Sequence, residues 1–251
     1  MWRRWHGWFA VATISVVSAQ VGQAQGGSGR GFLFRAPTMT LSVHGGYAIP
    51  GARSDFFDFT TDELTLSRSD FAGAAFGGDL GFRLGEQFEI VLGASHSASS
   101  DRSEFRDWVD ADDQPIEQVT RFSRTPVALS FRYHPRPSGR KIGSFAWIPT
   151  QFDPYFGAGV GKMKYIFEQS GDFIDFDTEP NVVFTDRFRS SGWVNMFQAA
   201  AGAGWTLAPR LQLTGEVRYQ HARADMGDDF VGFEKLDLSG VSTNVGLAIR
   251  F

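Results

Sequence analysis

The segment Gly240-Val-Ser-Thr-Asn-Val-Gly-Leu-Ala-Ile-Arg-Phe251 decides how the rest of the chain is read. Val241, Val245, Leu247, Ile249 and Phe251 share one parity, while Ser242, Asn244, Gly246 and Arg250 share the other. Successive residues of a β-strand point to opposite faces, so this pattern is a strand with one apolar face and one polar face. A half-buried edge strand of an ordinary antiparallel sheet shows the same alternation.

Working back from that strand, seven more segments carry period two. The first runs from Thr38 to Ala48, with Met39, Leu41, Val43 and Tyr47 on its apolar side. The second, about Asp70 to Leu84, sets Phe76, Leu80, Phe82 and Leu84 against Asp79 and Arg83. The third, Gln87 to Ser97, sets Phe88, Ile90, Leu92 and Ala94 against Glu89 and Ser95. The fourth, about Val119 to Tyr133, opposes Val127, Leu129, Phe131 and Tyr133 to Ser130 and Arg132. The fifth, Pro154 to Phe167, is glycine-rich and ambiguous in its facing. The sixth, Gly192 to Leu207, places Trp193, Phe197, Ala199, Ala201 and Trp205 on one side. The seventh alternates Leu211, Leu213, Val217 and Tyr219 with Gln212, Thr214, Glu216, Arg218 and Gln220.

The N-terminus bears on location. Met1-Trp-Arg-Arg-Trp-His-Gly-Trp8 is a basic n-region, Phe9 to Ala19 an apolar core, and Gly22-Gln-Ala24 a small-x-small cleavage site. Residues 1–24 therefore read as a secretory signal peptide, 25–37 as a short extension and 38–251 as one β-domain. No later stretch reaches the ~18 consecutive apolar residues of a membrane helix, so a membrane protein built from this chain must cross with strands.

Composition narrows the chemistry. The chain holds 29 glycines, 25 phenylalanines and no cysteine, which removes disulfides, thiol catalysis and Cys-based zinc sites. A net charge of −4 and the lack of a basic, aromatic-interleaved patch argue against a nucleic-acid partner. His44, His134 and His221 have no metal-ligand spacing, and no cofactor is expected.

The connections alternate in length. Gly85-Glu86 and Ala208-Pro209 make short turns, whereas the links between strands one and two, three and four, five and six, and seven and eight are long. Ser97–Gln118 holds seven acidic residues and two arginines, Glu168–Ser190 six and two, and His221–Leu238 five acidic and two basic. Acidic loops of this kind attract divalent cations that bridge to phosphates, or are simply solvated. The stretch His134 to Asp153 is too long for a tight turn, so a plug, a rim structure or a slipped strand boundary is expected there.

This pattern resembles the small eight-stranded bacterial outer-membrane β-barrels of the OmpA-like and OmpW-like type. The likeness covers nearly everything after residue 37 and includes the terminal Phe251 strand and Pro154-Tyr-Phe-Gly-Ala-Gly-Val-Gly161. It implies an all-β, eight-stranded antiparallel up-and-down transmembrane barrel with short periplasmic turns and long extracellular loops. It also implies outer-membrane localisation, lipid and lipopolysaccharide contact, and a monomer. Val245, Leu247, Ile249 and Phe251 would then form the signal read by the barrel-assembly machinery. The chain stops at Phe251, so a C-terminal peptidoglycan-binding domain is not expected.

An eight-stranded barrel is just wide enough for side chains to fill. The inward list contains Arg83, Glu89, Arg132, Glu216, Arg218 and Arg250, which must pair in a low-dielectric lumen, either as a static network or as a gate. Tyr47, Tyr133, Trp193, Trp205 and Tyr219 read as aromatics at the membrane interface. The loop aromatics Phe56, Phe57, Phe59, Phe105, Trp108, Phe173, Phe176, Phe184 and Phe188 could line a lateral route for hydrophobic molecules, as OmpW-like barrels imply. They could equally pack the loops together or extend the wall.

Three roles follow: a non-catalytic structural or surface-interaction protein, a narrow channel or lateral transporter, and a lipid A-modifying hydrolase. The last needs a triad. Ser95 and Ser97 flank His96 and so face away from it, while Ala94 and Ala98 carry no hydroxyl, leaving that strand without an acyl-transfer set.

Overall fold

The structure is a computed structural model that describes residues 31–143, 145–175, 182–230 and 232–251. The expected signal peptide, residues 1–24, lies outside the described residues, as do Phe176 and residues 25–30 of the expected extension.

Eight long strands form the wall. They are β1 (Met39–Pro50), β2 (Gly73–Arg83), β3 (Phe88–Val109), β4 (Pro115–Tyr133), β7 (Phe152–Asp175), β8 (Val182–Ala208), β9 (Leu211–Ala224) and β11 (Gly240–Arg250). Between them, β5 (Gly139–Ile142) and β6 (Ala146–Pro149) make a small separate hairpin, and β10 (Leu236–Asp237) adds two residues beside β9. Each wall strand pairs antiparallel with the next, and β11 pairs with β1 in register from Thr40↔Arg250 to Pro50↔Gly240. The ring is closed, so no wall strand leaves a full-length open edge to pair with another chain.

Alternation sets the two faces. Val43, Phe76, Val160, Phe197 and Val245 are each more than half exposed, while Arg250 is fully buried and Asp79, Glu89, Glu216 and Arg218 nearly so. This inverts the soluble pattern, in which charged residues stay outside unless paired. The apolar run Met39–Ile49 on β1 matches the roughly 9–11 residues that a tilted transmembrane strand needs.

Much of what the sequence presents as long loops is built as strand. β3 and β4 continue past the apolar band and meet in a turn at Asp110–Gln114, so the acidic Ser97–Gln118 stretch is largely a hairpin. β7 and β8 pair from Phe152↔Trp205 to Asp175↔Val182, which settles the facing of the fifth sequence segment. The cause is local: β-branched, aromatic and serine residues keep period two in both arms, although their outer face turns from apolar to charged.

The long hairpins close over a helix. The β1–β2 connection contains α1 (Asp55–Glu63), whose Phe56 and Phe57 point into the barrel mouth. Phe56 packs edge-to-face on Phe167 (4.8 Å) and Phe230 (5.2 Å), and Phe57 on Phe71 (4.8 Å), forming an apolar core with Phe122, Leu236 and Leu238. Phe56 and Phe57 therefore fill the mouth rather than line a lateral entry. Phe105 and Phe188 pack against the same core, while Phe59, Trp108 and Phe184 are exposed and Phe173 stacks edge-on to Phe188.

At the opposite, short-turn end, the connection between β4 and β7 contains the β5–β6 hairpin, paired from Gly139↔Pro149 to Ile142↔Ala146. Trp147 is buried against Gly139 and bridges to Leu33 through reciprocal backbone hydrogen bonds of 2.8 and 2.7 Å. The N-terminal extension is thereby fastened to this rim hairpin.

Candidate functional site

The lumen between the aromatic core and the short-turn rim holds a connected set of charges. Alternation aims Asp79 and Arg83 of β2, Glu89 of β3, Arg132 of β4, Glu216 and Arg218 of β9, and Arg250 of β11 inward. Arg132 Nη2 lies 2.9 Å from Asp79 Oδ2 and 3.0 Å from Glu216 Oε2, with Glu89 Oε2 3.9 Å from Nη1. Arg218 donates to Glu216 at 2.8 Å and approaches Asp79 at 3.4 Å. The Tyr155 hydroxyl donates to Glu216 at 2.9 Å, and its ring lies 4.7 Å beneath the Arg132 guanidinium.

A second cluster sits nearer the rim. His134 Nδ1 is 2.7 Å from Asp153 Oδ1, and its Nε2 is 3.6 Å from Glu89 Oε2. Arg83 reaches Asp153 at 3.4 Å and donates to Ser138, while Arg250 lies 3.9 Å from Asp153 and 3.3 Å from the Thr206 hydroxyl. Glu89 touches both clusters. Side chains on seven wall strands are thus tied together across the lumen, and buried carboxylates and guanidinium groups of this kind persist only when so paired.

Glycines make the room. A Cβ on Gly93 would collide with the Asp79 carboxylate, one on Gly81 with Glu89, and one on Gly202 with the Tyr155 ring. The remaining space is a cavity of about 40 Å³ lined by His44, Asp79, Glu89, Arg132, His134 and Glu216, among others. That volume takes a few water molecules and no larger solute.

The six lumen residues named from sequence fall into these clusters, but Asp79, Asp153, His134, Tyr155 and His44 also belong and were not among them. Asp79 shares the parity of Arg83, a signal available in the sequence. Asp153 and Tyr155 lie on the glycine-rich strand whose facing the sequence left open, and His134 lies just beyond β4.

On the outer surface, Tyr47, Tyr133, Trp193, Trp205 and Tyr219 are each between 40% and 55% exposed. At the terminus, Phe251 exchanges backbone hydrogen bonds with Met39 and accepts one from Thr38 at 2.7 Å, while Val245, Leu247 and Ile249 face outward. His96 also faces outward, with Nδ1 2.9 Å from the Thr125 hydroxyl; neither Ser95 nor Ser97 is its partner. His221 lies 3.1 Å from the Ser239 hydroxyl. Among the described residues no group of three His, Cys, Asp or Glu is placed to hold a metal ion.

No family model and no curated protein matches the chain. The barrel is similar to Neisserial surface protein A at 11% identity and a TM-score of 0.47, over 85% of this chain and 97% of that one. It is similar to the outer membrane protein OprG from Pseudomonas aeruginosa at 12% identity and a TM-score of 0.46, over 87% and 99%. It is also similar to Ail, the attachment invasion locus protein of Yersinia pestis, at 10% identity and a TM-score of 0.43, over 86% and 100%. At these values no residue role passes to this chain, and the eight-stranded architecture rests on the strand register itself.

Proposed function

We propose that the chain is an integral outer-membrane β-barrel protein with a non-catalytic structural or surface-interaction role. One observation carries the reading: a closed ring exposes large apolar side chains on every wall strand while Arg250, Glu89 and Arg218 are buried inside. In water that arrangement would leave an uncovered apolar belt, whereas in a bilayer each group meets its own solvent. The short-turn end then faces the periplasm and the long hairpins face outward. The leader at residues 1–24 fits export, and Phe251 at the β11–β1 seam fits recognition by assembly machinery. The test is gel mobility of membrane fractions, boiled and unboiled. A fast-running band that shifts on boiling supports the reading, and a chain that partitions as soluble without a shift overturns it.

A narrow channel is the second reading, favoured by the polar cavity at the centre of the charge network. Single-channel recording decides it. Conductance that disappears when Arg218 or Glu216 is neutralised supports a gated path; an electrically silent barrel whose charge variants change only stability rejects it.

A further inference from the structure

We propose that the outer face of β4, β7 and β8, directly above the apolar belt, binds the phosphate groups of an acylated, phosphorylated glycolipid of the surrounding leaflet through Arg121, Lys162, Lys164, Arg187 and Arg189. The inference rests on the outer-membrane reading and adds a ligand and a place to it.

The register assembles the patch. Arg121, Glu168 and Arg189 are direct cross-strand neighbours on β4, β7 and β8, and so are Thr125, Lys164 and Trp193 two same-face rows lower, with Ser123, Ile166 and Ser191 between. Neighbours of this kind stand ~5 Å apart at Cβ. Glu168 accepts from Arg121 at 3.1 Å and also from Arg187, so one carboxylate fixes two guanidinium groups in place. Lys162, Lys164 and the Arg189 guanidinium have no ion-pair partner among the described residues. Five cations thus face two carboxylates, Glu168 and the Asp229 that accepts from the Arg189 backbone N–H at 3.0 Å, whereas inside the lumen every arginine of the network stands beside an acid.

The surroundings select a lipid. Lys162 follows the exposed, belt-facing Val160 by two residues, a rise of ~5 Å once strand tilt is included. Lys164 stands across from Trp193, an indole of the type that settles at the headgroup boundary. Above them a hollow of about 580 Å³ is lined by Arg121, Arg187 and Arg189 together with His96 and Ile166. Below them the row Leu129, Val160 and Phe197 is exposed for acyl chains. A molecule with an anionic sugar head and several apolar tails in one leaflet satisfies both halves. A soluble polyanion would leave the belt side of the patch unused.

The test reconstitutes the full barrel in nanodiscs of phosphatidylcholine containing either bisphosphorylated lipid A or the same lipid stripped of its phosphates, and reads retained lipid by native mass spectrometry. The expected result is selective retention of the phosphorylated form. Lys164→Gln combined with Arg189→Gln should lower it about tenfold, and Lys164→Arg with Arg189→Lys should restore it. All these side chains are on the outer surface, and the boiling shift confirms that each variant is folded. Equal retention of the dephosphorylated lipid, or unchanged retention in the glutamine variant, overturns the site. Displacement by inorganic phosphate or dextran sulfate at lower concentration than by lipid A also overturns it, because the patch would then serve a soluble anion. A barrel that inserts but retains no lipid A fails this inference alone; a chain that does not insert fails the outer-membrane reading with it.

Discussion

Arg132 and Asp79 meet at 2.9 Å across the lumen, joining two strands that are not neighbours in the wall. Arg132 also reaches Glu216 at 3.0 Å, so a single guanidinium braces β4 against β2 and β9. Arg132→Met should therefore destabilise the barrel by about 3–5 kcal/mol, because it leaves buried carboxylates uncompensated. Urea midpoints of the folded, heat-shiftable form measure this. Tyr155→Phe, which removes one hydrogen bond to Glu216, should cost about 1–3 kcal/mol.

Gly93→Ala should disturb the same brace from the opposite side of the pair, since the new methyl occupies the Asp79 carboxylate position. The expected loss is about 1–3 kcal/mol. In a double-mutant cycle with Asp79→Ala the two losses should fall well short of additive, because removing the carboxylate also removes the clash. Full additivity would separate Gly93 from the network.

The lumen is closed twice in series, by the charge network and by the phenylalanines of α1. Phe56→Ala combined with Phe57→Ala should lower stability by at least about 3–5 kcal/mol yet leave planar-bilayer recordings silent. Arg132→Ala alone should be silent as well. Only the combined variant should pass ions, and current in either partial variant would show that one closure is leaky.

The Arg187 guanidinium beside Glu168, helped by Arg121, holds the Glu168 carboxyl below the usual carboxylate range. A group depressed in the folded state contributes stability above its unfolded pKa of ~4.3 and loses that contribution as pH falls through the lower folded value. The triad should thus persist at pH values where ordinary carboxylates are half protonated. Stability against pH for Glu168→Gln should be flatter than wild type on the acid side, by a small amount because both arginines are largely exposed.

How much of this was legible depended on whether parity alone carried the information. Met39, Leu41, Val43, Phe76, Phe82, Leu213 and Val245 alternate so regularly that their outward facing follows from sequence, and with it the eight-stranded fold. Strand ends were not legible, because beyond the belt Arg102, Glu104, Arg121 and Glu168 keep the alternation while losing the polarity contrast that makes it visible. The inward turn of Phe56 and Phe57 was hidden for another reason. A short helix in a connection buries its face against residues distant in sequence, here Phe167 and Phe230, and no local period announces them. The basic patch on the outer face is a cross-strand property of the same kind, since Arg121, Glu168 and Arg189 become adjacent only once three strands are in register.

The seam between β11 and β1 also governs when the molecule can form. Thr40 pairs with Arg250, so every strand from β1 to β11 must be delivered before the ring shuts. Until then β1 is an open edge, and every apolar outer face is in water. Contacts this remote in sequence are slow to find, and unpaired edges template aggregation in the interval. β11 and Phe251 therefore act as a completion check: until they are in place, the backbone bonds to Thr38 and Met39 that finish the wall cannot form.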